Sequence, residues 1–218
     1  MTVINKKVED CKYMAEFRVG PNNSSFFKKK KNWNLLEAIE AASYGDTIII
    51  SSGYCYESDN NIVIDKSIKI IGDYDFNSED KSEFIPEIRT GIFAKKGAEV
   101  ILKNIAIRIN REKSNAINVR SLATVIGENL IIENTVKKGE NYPIIFLEDK
   151  ACAKFSKIAV QPSSLPAHRV YADNATLEIN ASVIYANVNL YNTKFKIENT
   201  TIEYRITNGM SIKEKSTG

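Results

Sequence analysis

The chain is poor in the residues from which most catalytic chemistry is built. Its 218 residues include one histidine, His168, one glutamine, Gln161, and three cysteines, Cys11, Cys55 and Cys152. An odd number of cysteines with no framework spacing reads as free thiols in a reducing compartment. One histidine and three scattered cysteines supply no metal-ligand spacing, and no glycine-rich phosphate loop occurs, so no metal or other cofactor is expected. No long apolar run is present. Met1 to Lys12 alternates polar and charged residues, so neither a signal peptide nor a membrane span is expected, and the expected location is cytoplasmic. A dominant charge is missing too. Thirty Lys and Arg against 27 Asp and Glu leave a net charge of +3, too little to argue for a nucleic-acid partner. Asp-Gly does not occur and Asn-Gly occurs once, at Asn208-Gly209, so the regular hairpin turns of an antiparallel β-sandwich are lacking.

What is present is a repeat. Apolar pairs in alternation begin at Ile92, Ile117, Ile145, Val170 and Val188, 18 to 28 residues apart. Each is followed by a second pair: Val100/Leu102, Val125/Gly127, Ala153/Phe155, Leu177/Ile179 and Phe195/Ile197. A third begins five residues after the start of the second every time, at Ile105, Leu130, Ile158, Ser182 and Thr200. Asn104, Asn129 and Asn199 share the slot just before the third pair. Short strands of period two, recurring at this interval, imply a stack in which each repeat covers the next. The expected fold is all-β: a right-handed parallel β-helix of about eight coils, in which asparagine at one turn slot forms a ladder.

The chain reads as one domain, 1–218. Residues 1–33 form an N-terminal arm with a first strand, Tyr13 to Val19, closed by Gly20-Pro21-Asn22-Asn23. Residues 34–43 form a capping helix: Asn34 is the N-cap, Glu37 completes a capping box, and Trp33 stands before it. Leu35, Leu36, Ile39 and Ala42 make the helix's apolar face, which is suited to cover the open end of the stack. Coils run over 45–204. Thr47 to Ile50 reads as a strand buried on both faces. Ile62/Ile64 and Ile68/Ile70 form further strands, and Gly72-Asp73 closes the coil. Tyr74 to Pro86, 133–143 and 161–169 read as loops, and 205–218 as a fraying tail.

Residues 34–72 carry a specific run: a helix, then Gly45-Asp46-Thr47-Ile48, Gly53-Tyr54, Ile64-Asp65-Lys66-Ser67-Ile68 and the closing Gly72. This run resembles the first coils of the pectin-lyase-like superfamily, whose members fold as single-stranded right-handed parallel β-helices. Val19-Gly20-Pro21 is similar to the first strand of pectin methylesterases. The nearest likeness is to the carbohydrate-binding and sugar-hydrolase-type repeats also found in substrate-binding β-helices of F-box proteins. The superfamily contains lyases, esterases, hydrolases and non-enzymatic binders, so the resemblance implies a fold and not an activity. Its catalytic sets have no counterpart here. The two Asp, Gln and Arg of the methylesterases, the Asn-Thr-Asp and Asp-Asp runs of polygalacturonases, and the clustered acidic calcium ligands of pectate lyases are all missing.

The candidate site residues lie in the C-terminal coils. His168, with Arg169 beside it and Asp173 as an orienting carboxylate, is the best available general base. No nucleophile-elbow spacing supports Ser163 or Ser164, and an exposed loop histidine is the plainer reading. Tyr171, Tyr185, Tyr191 and Tyr204 are candidate ligand-binding residues, outward aromatics able to meet a sugar ring or a protein partner; ordinary strand dressing is their plainer reading. Glu133 and Glu203 share an outward slot, but Gln161 and Tyr185 interrupt it, so the acid pair of a glycosidase is not formed. Lys28 to Lys31, beside Phe26-Phe27, read as a solvated basic loop.

These features predict a non-catalytic binding or scaffolding module that presents flat faces and loops to a protein or glycan partner, as a monomer or an end-to-end dimer, without nucleic acid or membrane. The rival is a divergent polysaccharide lyase or glycoside hydrolase acting on an acidic glycan.

Overall fold

The computed structural model describes residues 14–20, 33–76, 84–136, 142–163, 169–203 and 211–213. The arm before Met14, Pro21-Asn22-Asn23, Phe26-Phe27, Lys28 to Lys31, Cys11, His168 and Tyr204 lie outside these residues, as do the central parts of the three predicted loops.

The fold is all-β with a single short helix among the described residues. Thirteen described strands form one sheet and seven form a second. All of the strand pairs are parallel, which removes the β-sandwich. The chain passes from one sheet to the other, and each strand pairs with its counterpart one repeat later. Ile92 pairs with Ile117, Ile117 with Ile145, Ile145 with Val170 and Val170 with Val188 in the smaller sheet. In the larger sheet Val100, Val125, Ala153, Leu177 and Phe195 align in the same way.

Alternation at period two explains the core. Along the smaller-sheet column the inward residues are almost wholly buried: Ile92, Ile117, Ile145, Val170 and Val188 are at most 1% exposed. Each such side chain contributes roughly 1.5–3 kcal/mol over leaving it in water. Thr47–Ser51 follows the same rule rather than lying buried on both faces: Ile48 and Ile50 are buried and Ile49 is half-buried. One face of this strand lies outside the core, and its continuous isoleucines conceal the alternation.

The second and third pairs merge in the middle of the molecule. Glu99–Ile109 and Thr124–Asn134 are single strands of 11 residues, each bent at an asparagine of positive φ, 56° at Asn104 and 52° at Asn129. The same slot holds Lys157, Ala181 and Asn199, also at positive φ. Asn129 donates from Nδ2 to Asn104 Oδ1 at 2.9 Å, which makes one rung of the expected ladder. The ladder goes no further: Lys157 and Ala181 interrupt it, and Asn199 donates to Asn180 at 3.2 Å instead.

The helix α1, Leu35–Ala41, is shorter than predicted. Asn34 Oδ1 accepts from Glu37 N at 2.8 Å, and the Glu37 carboxylate accepts from Asn34 N at 3.4 Å, so the capping box is formed. Leu35, Ala38 and Ile39 are buried and α1 packs on Glu16–Val19 and Thr47–Ser51, at the first end of the larger sheet. Leu36 is 40% exposed and does not belong to that face. One residue from Leu35 along the helix is a rotation of about 100°, which takes Leu36 off the stripe. Trp33 makes an isolated bridge with Val19 and an edge-on contact with Phe17 at 5.5 Å. Buried Asp46 accepts from Ala15 N at 2.8 Å and Ser43 N at 2.7 Å, tying the first strand to the segment after the helix.

Other boundaries move. The first strand is Glu16–Val19. Gly72-Asp73 lies inside the strand Ile68–Asp73 rather than closing a coil. There a side chain on Gly72 would collide with the Asn104 carbonyl of the next repeat. Two strands with charged outward residues were not anticipated, Cys55–Glu57 and Glu87–Arg89, which pair with each other. Asn134 and Arg169 belong to strands, not loops. Within the predicted tail, Ser211–Lys213 pairs with Asn187–Tyr191.

Candidate binding surface

The outward face of the smaller sheet carries the densest cluster of predicted site residues. Register places Phe93, Asn118, Phe146, Tyr171 and Asn189 in one outward column. Two positions on, Asp173 pairs with Tyr191. With repeats about 4.8 Å apart, rings in one column must stack or splay. Phe146 and Tyr171 stack, with centroids 5.2 Å apart and planes 6° from parallel. Tyr191 tilts against Tyr171 at 5.4 Å and 39°. The Arg120 guanidinium covers the other side of Phe146 at 4.8 Å, and Arg169 lies 5.9 Å from the Tyr171 ring. Burial pushes the Tyr171 phenol above its ordinary value, and the neighbouring Asp173 charge adds to the effect.

Polar atoms in this surface are incompletely matched. Asn118 Oδ1, Arg120 Nε, Arg169 Nε and Asn187 Oδ1 are shielded from solvent and have no hydrogen-bond partner among the described residues. Arg120 Nε is 3.6 Å from the Glu148 carboxylate, too far for a hydrogen bond. Arg169 and Asn187 are register partners on adjacent strands. Leaving a buried polar atom unpaired costs roughly 1–3 kcal/mol, which favours a ligand able to pair it.

The sequence candidates therefore separate. Arg169, Tyr171, Asp173 and Tyr191 come together on this face. Tyr185 does not: it follows the strand Val183–Ile184, and its N–H donates to Val160 O at 3.0 Å. Sequence reasoning missed Phe146, Arg120 and Asn118. The signal was available, because the residue after each first-pair leader must point outward in the same column.

Several carboxylates on the larger sheet that might serve a hydrolase are already paired. Arg108 bonds Glu133 at 2.8 Å and also contacts Glu87, which bonds Arg89 at 2.6 Å. Arg89 also lies 3.8 Å from Glu57. Lys103 sits 2.6 Å from Glu128, and its hydrogen bond and charge hold that carboxyl below its ordinary value. Gln161, Tyr185 and Glu203 continue the Glu133 column through backbone bonds to successive repeats, so Glu133 and Glu203 are not neighbours. A pocket of roughly 270 Å³ on the larger sheet is lined by Lys154, Glu178, Lys196 and Glu198 among others. Lys154–Glu178 at 3.2 Å and Lys196–Glu198 at 3.0 Å neutralise it.

Among the described residues no group of three His, Cys, Asp or Glu is placed to hold a metal ion, and no helix is long and apolar enough to cross a membrane. Burial pushes the thiols of exposed Cys55 and half-buried Cys152 above their ordinary value. Comparison with protein-family models, with curated proteins and with solved structures returns no match.

Proposed function

We propose that the chain is a right-handed parallel β-helix of the pectin-lyase-like kind and acts as a non-catalytic binding module, docking a partner on the outward face of its smaller sheet. Parallel pairing of repeat on repeat supports the fold. The observation that carries the function is the stack Arg120–Phe146–Tyr171–Tyr191, set among the unmatched Asn118, Arg169 and Asn187. It combines large, preordered aromatic surface with polar atoms that no described residue pairs.

The ring geometry favours a protein over a glycan. A sugar stacks on the face of an aromatic ring, and here Phe146 lies between Arg120 and Tyr171, while Tyr171 lies between Phe146 and Tyr191. The rings present edges, which suit backbone carbonyls and aliphatic side chains. The rival lyase or hydrolase finds its best residues in Glu87, Arg108 and Glu133, but Arg108 and Arg89 between them neutralise both carboxylates.

The test compares the native chain with Phe146→Ser/Tyr171→Ser and with a charge-neutral change on the larger sheet, Lys154→Gln/Glu178→Gln. Captured protein released only by the first pair of changes supports the reading. Turnover of a polyuronate or other glycan by the purified protein, abolished by one substitution, overturns it.

A further inference from the structure

Charge on the outward face of the smaller sheet is ordered by repeat. Register puts Lys95, Arg120, Glu148 and Asp173 in one row along the stack: Arg120 N–H donates to Ala94 O at 3.0 Å, Glu148 N–H donates to Val119 O at 3.1 Å, and Leu147 pairs with Ala172. By alternation this row faces the same side as Phe146 and Tyr171. Two cations thus precede two anions along four successive repeats. Arg120 and Glu148, at the middle, come within 3.6 Å of each other. Among the described residues neither Lys95 nor Asp173 forms an ion pair. Asp65, one repeat before Lys95, is taken by Lys96 at 2.9 Å. Lys95 and Asp173 lie three repeats, about 14 Å, apart, beyond any ion pair within one chain. The row is accessible, with the Arg120 and Glu148 side chains 40% and 37% exposed. The turns that follow its residues are all described, and the undescribed segments 137–141 and 164–168 join these strands at their opposite ends.

We propose that the occupant of this face is the same face of a second copy, an assignment that rests on the docking reading above. The two-fold axis lies between the two faces, parallel to the strands, midway between the repeat of Arg120 and that of Glu148. Rotation about it keeps each row opposite itself and reverses the order of the repeats. Lys95 then meets Asp173 of the second copy and Arg120 meets Glu148 of the second copy, each twice by symmetry. In the aromatic row Phe93 comes opposite Tyr171 of the second copy, and Phe146 opposite Asn118 of the second copy. The strands of the two faces stay aligned, a common geometry for packed sheets. Neighbouring registers fail on charge. An axis through the Arg120 repeat sets Arg120 against itself, and one through the Glu148 repeat sets Glu148 against itself. A shift by a whole repeat sets Lys95 against Arg120, or Glu148 against Asp173, and like charges juxtaposed across an interface are costly. One patch serves both copies, so the contact closes as a dimer.

Sedimentation velocity on the full chain over a wide concentration range at low salt tests this. The native protein shows a monomer–dimer equilibrium. Asp173→Lys sets lysine against Lys95 twice and raises the dimer Kd by about tenfold or more. Adding Lys95→Asp to it restores the native Kd. Since the two positions are too far apart to pair within one chain, that rescue arises only across copies and is separate from any effect on folding. A dimer that ignores Asp173→Lys, or one that the exchanged pair does not restore, overturns the proposal. A native chain that stays monomeric throughout also overturns it, and the docking reading is then judged apart: capture of a different protein, released by Phe146→Ser/Tyr171→Ser, leaves that reading standing, whereas no capture removes both.

Discussion

Phe155 occupies the space that a side chain at Gly127 would need. The two are register partners on adjacent strands, and a Cβ built on Gly127 lies 2.6 Å from Phe155 Cδ1 and 2.7 Å from Leu130 Cδ1. One inward column thus interleaves a missing side chain with the largest one it holds.

Gly127→Ala is expected to destabilise the protein by about 1–3 kcal/mol through overpacking. The cost falls in a Phe155→Leu background, because part of the clash is with the ring, the rest being with Leu130. Urea titration of the four chains of this cycle checks both statements; equal cost in both backgrounds would show that Phe155 is not the obstacle.

The slot before the third pair offers the opposite kind of change. Ala181 holds a φ of 48° and is exposed. A left-handed conformation costs an ordinary L-residue roughly 1–2 kcal/mol. Ala181→Gly is expected to raise stability by about 0.5–1 kcal/mol once the greater freedom of glycine in the unfolded chain is counted. At Asn129, where the side chain also bonds Asn104, Asn129→Gly should leave stability the same or lower it slightly, and Asn129→Ala should lower it by more. Thermal melts of the three variants distinguish backbone strain from the loss of the amide bond.

The fold was legible wherever an outward residue was polar and an inward one aliphatic. Ile92, Ile117, Ile145, Val170 and Val188 met this condition, and their register was correct throughout. It failed where that contrast was weak. Ile49 is apolar and faces outward, so its strand seemed buried on both sides. Cys55–Glu57 and Glu87–Arg89 contribute few apolar residues, and their pairing rests on the backbone and on the charges of Glu57, Glu87 and Arg89. Gly72 looked like a turn because its need is for close approach to Asn104, which no local pattern announces. The binding surface was half visible. Tyr171 and Tyr191 were found as outward aromatics, but Phe146, which lacks a polar hydroxyl, merged with the apolar run Ile144–Leu147 and was passed over, and Tyr185 was grouped with them although it sits at a different position of the repeat.

The pair Lys103–Glu128 predicts part of the acid response. Its carboxyl is held below the ordinary value, so it contributes stability above the unfolded pKa, about 4.3, and loses that contribution as pH falls through the folded value. The groups are about one-third exposed, which limits the effect to about 0–1 kcal/mol. Lys103→Met should lower stability at neutral pH and flatten the decline below about pH 4.3. Urea midpoints measured from pH 7 to pH 3 in both chains test this; parallel curves would remove the pair from the acid response.

The thiols titrate with the opposite sign. Desolvation raises both Cys55 and Cys152, so the neutral thiol is favoured in the fold; that stability is full below the unfolded thiol pKa and is lost as pH rises through the folded value. Alkylation requires the thiolate. Cys55 is exposed, so access does not limit it, and a reduced rate there reports the raised pKa directly. Iodoacetamide at pH 8, followed peptide by peptide, should modify Cys55 more slowly in the native protein than in the urea-unfolded chain, and Cys152 more slowly still because it is also half-buried. Arg89→Gln should slow Cys55 further, since the Arg89 charge is the strongest one favouring its thiolate, and leave Cys152 unchanged. Native and unfolded rates that coincide at Cys55 would mean that its thiol is not desolvated.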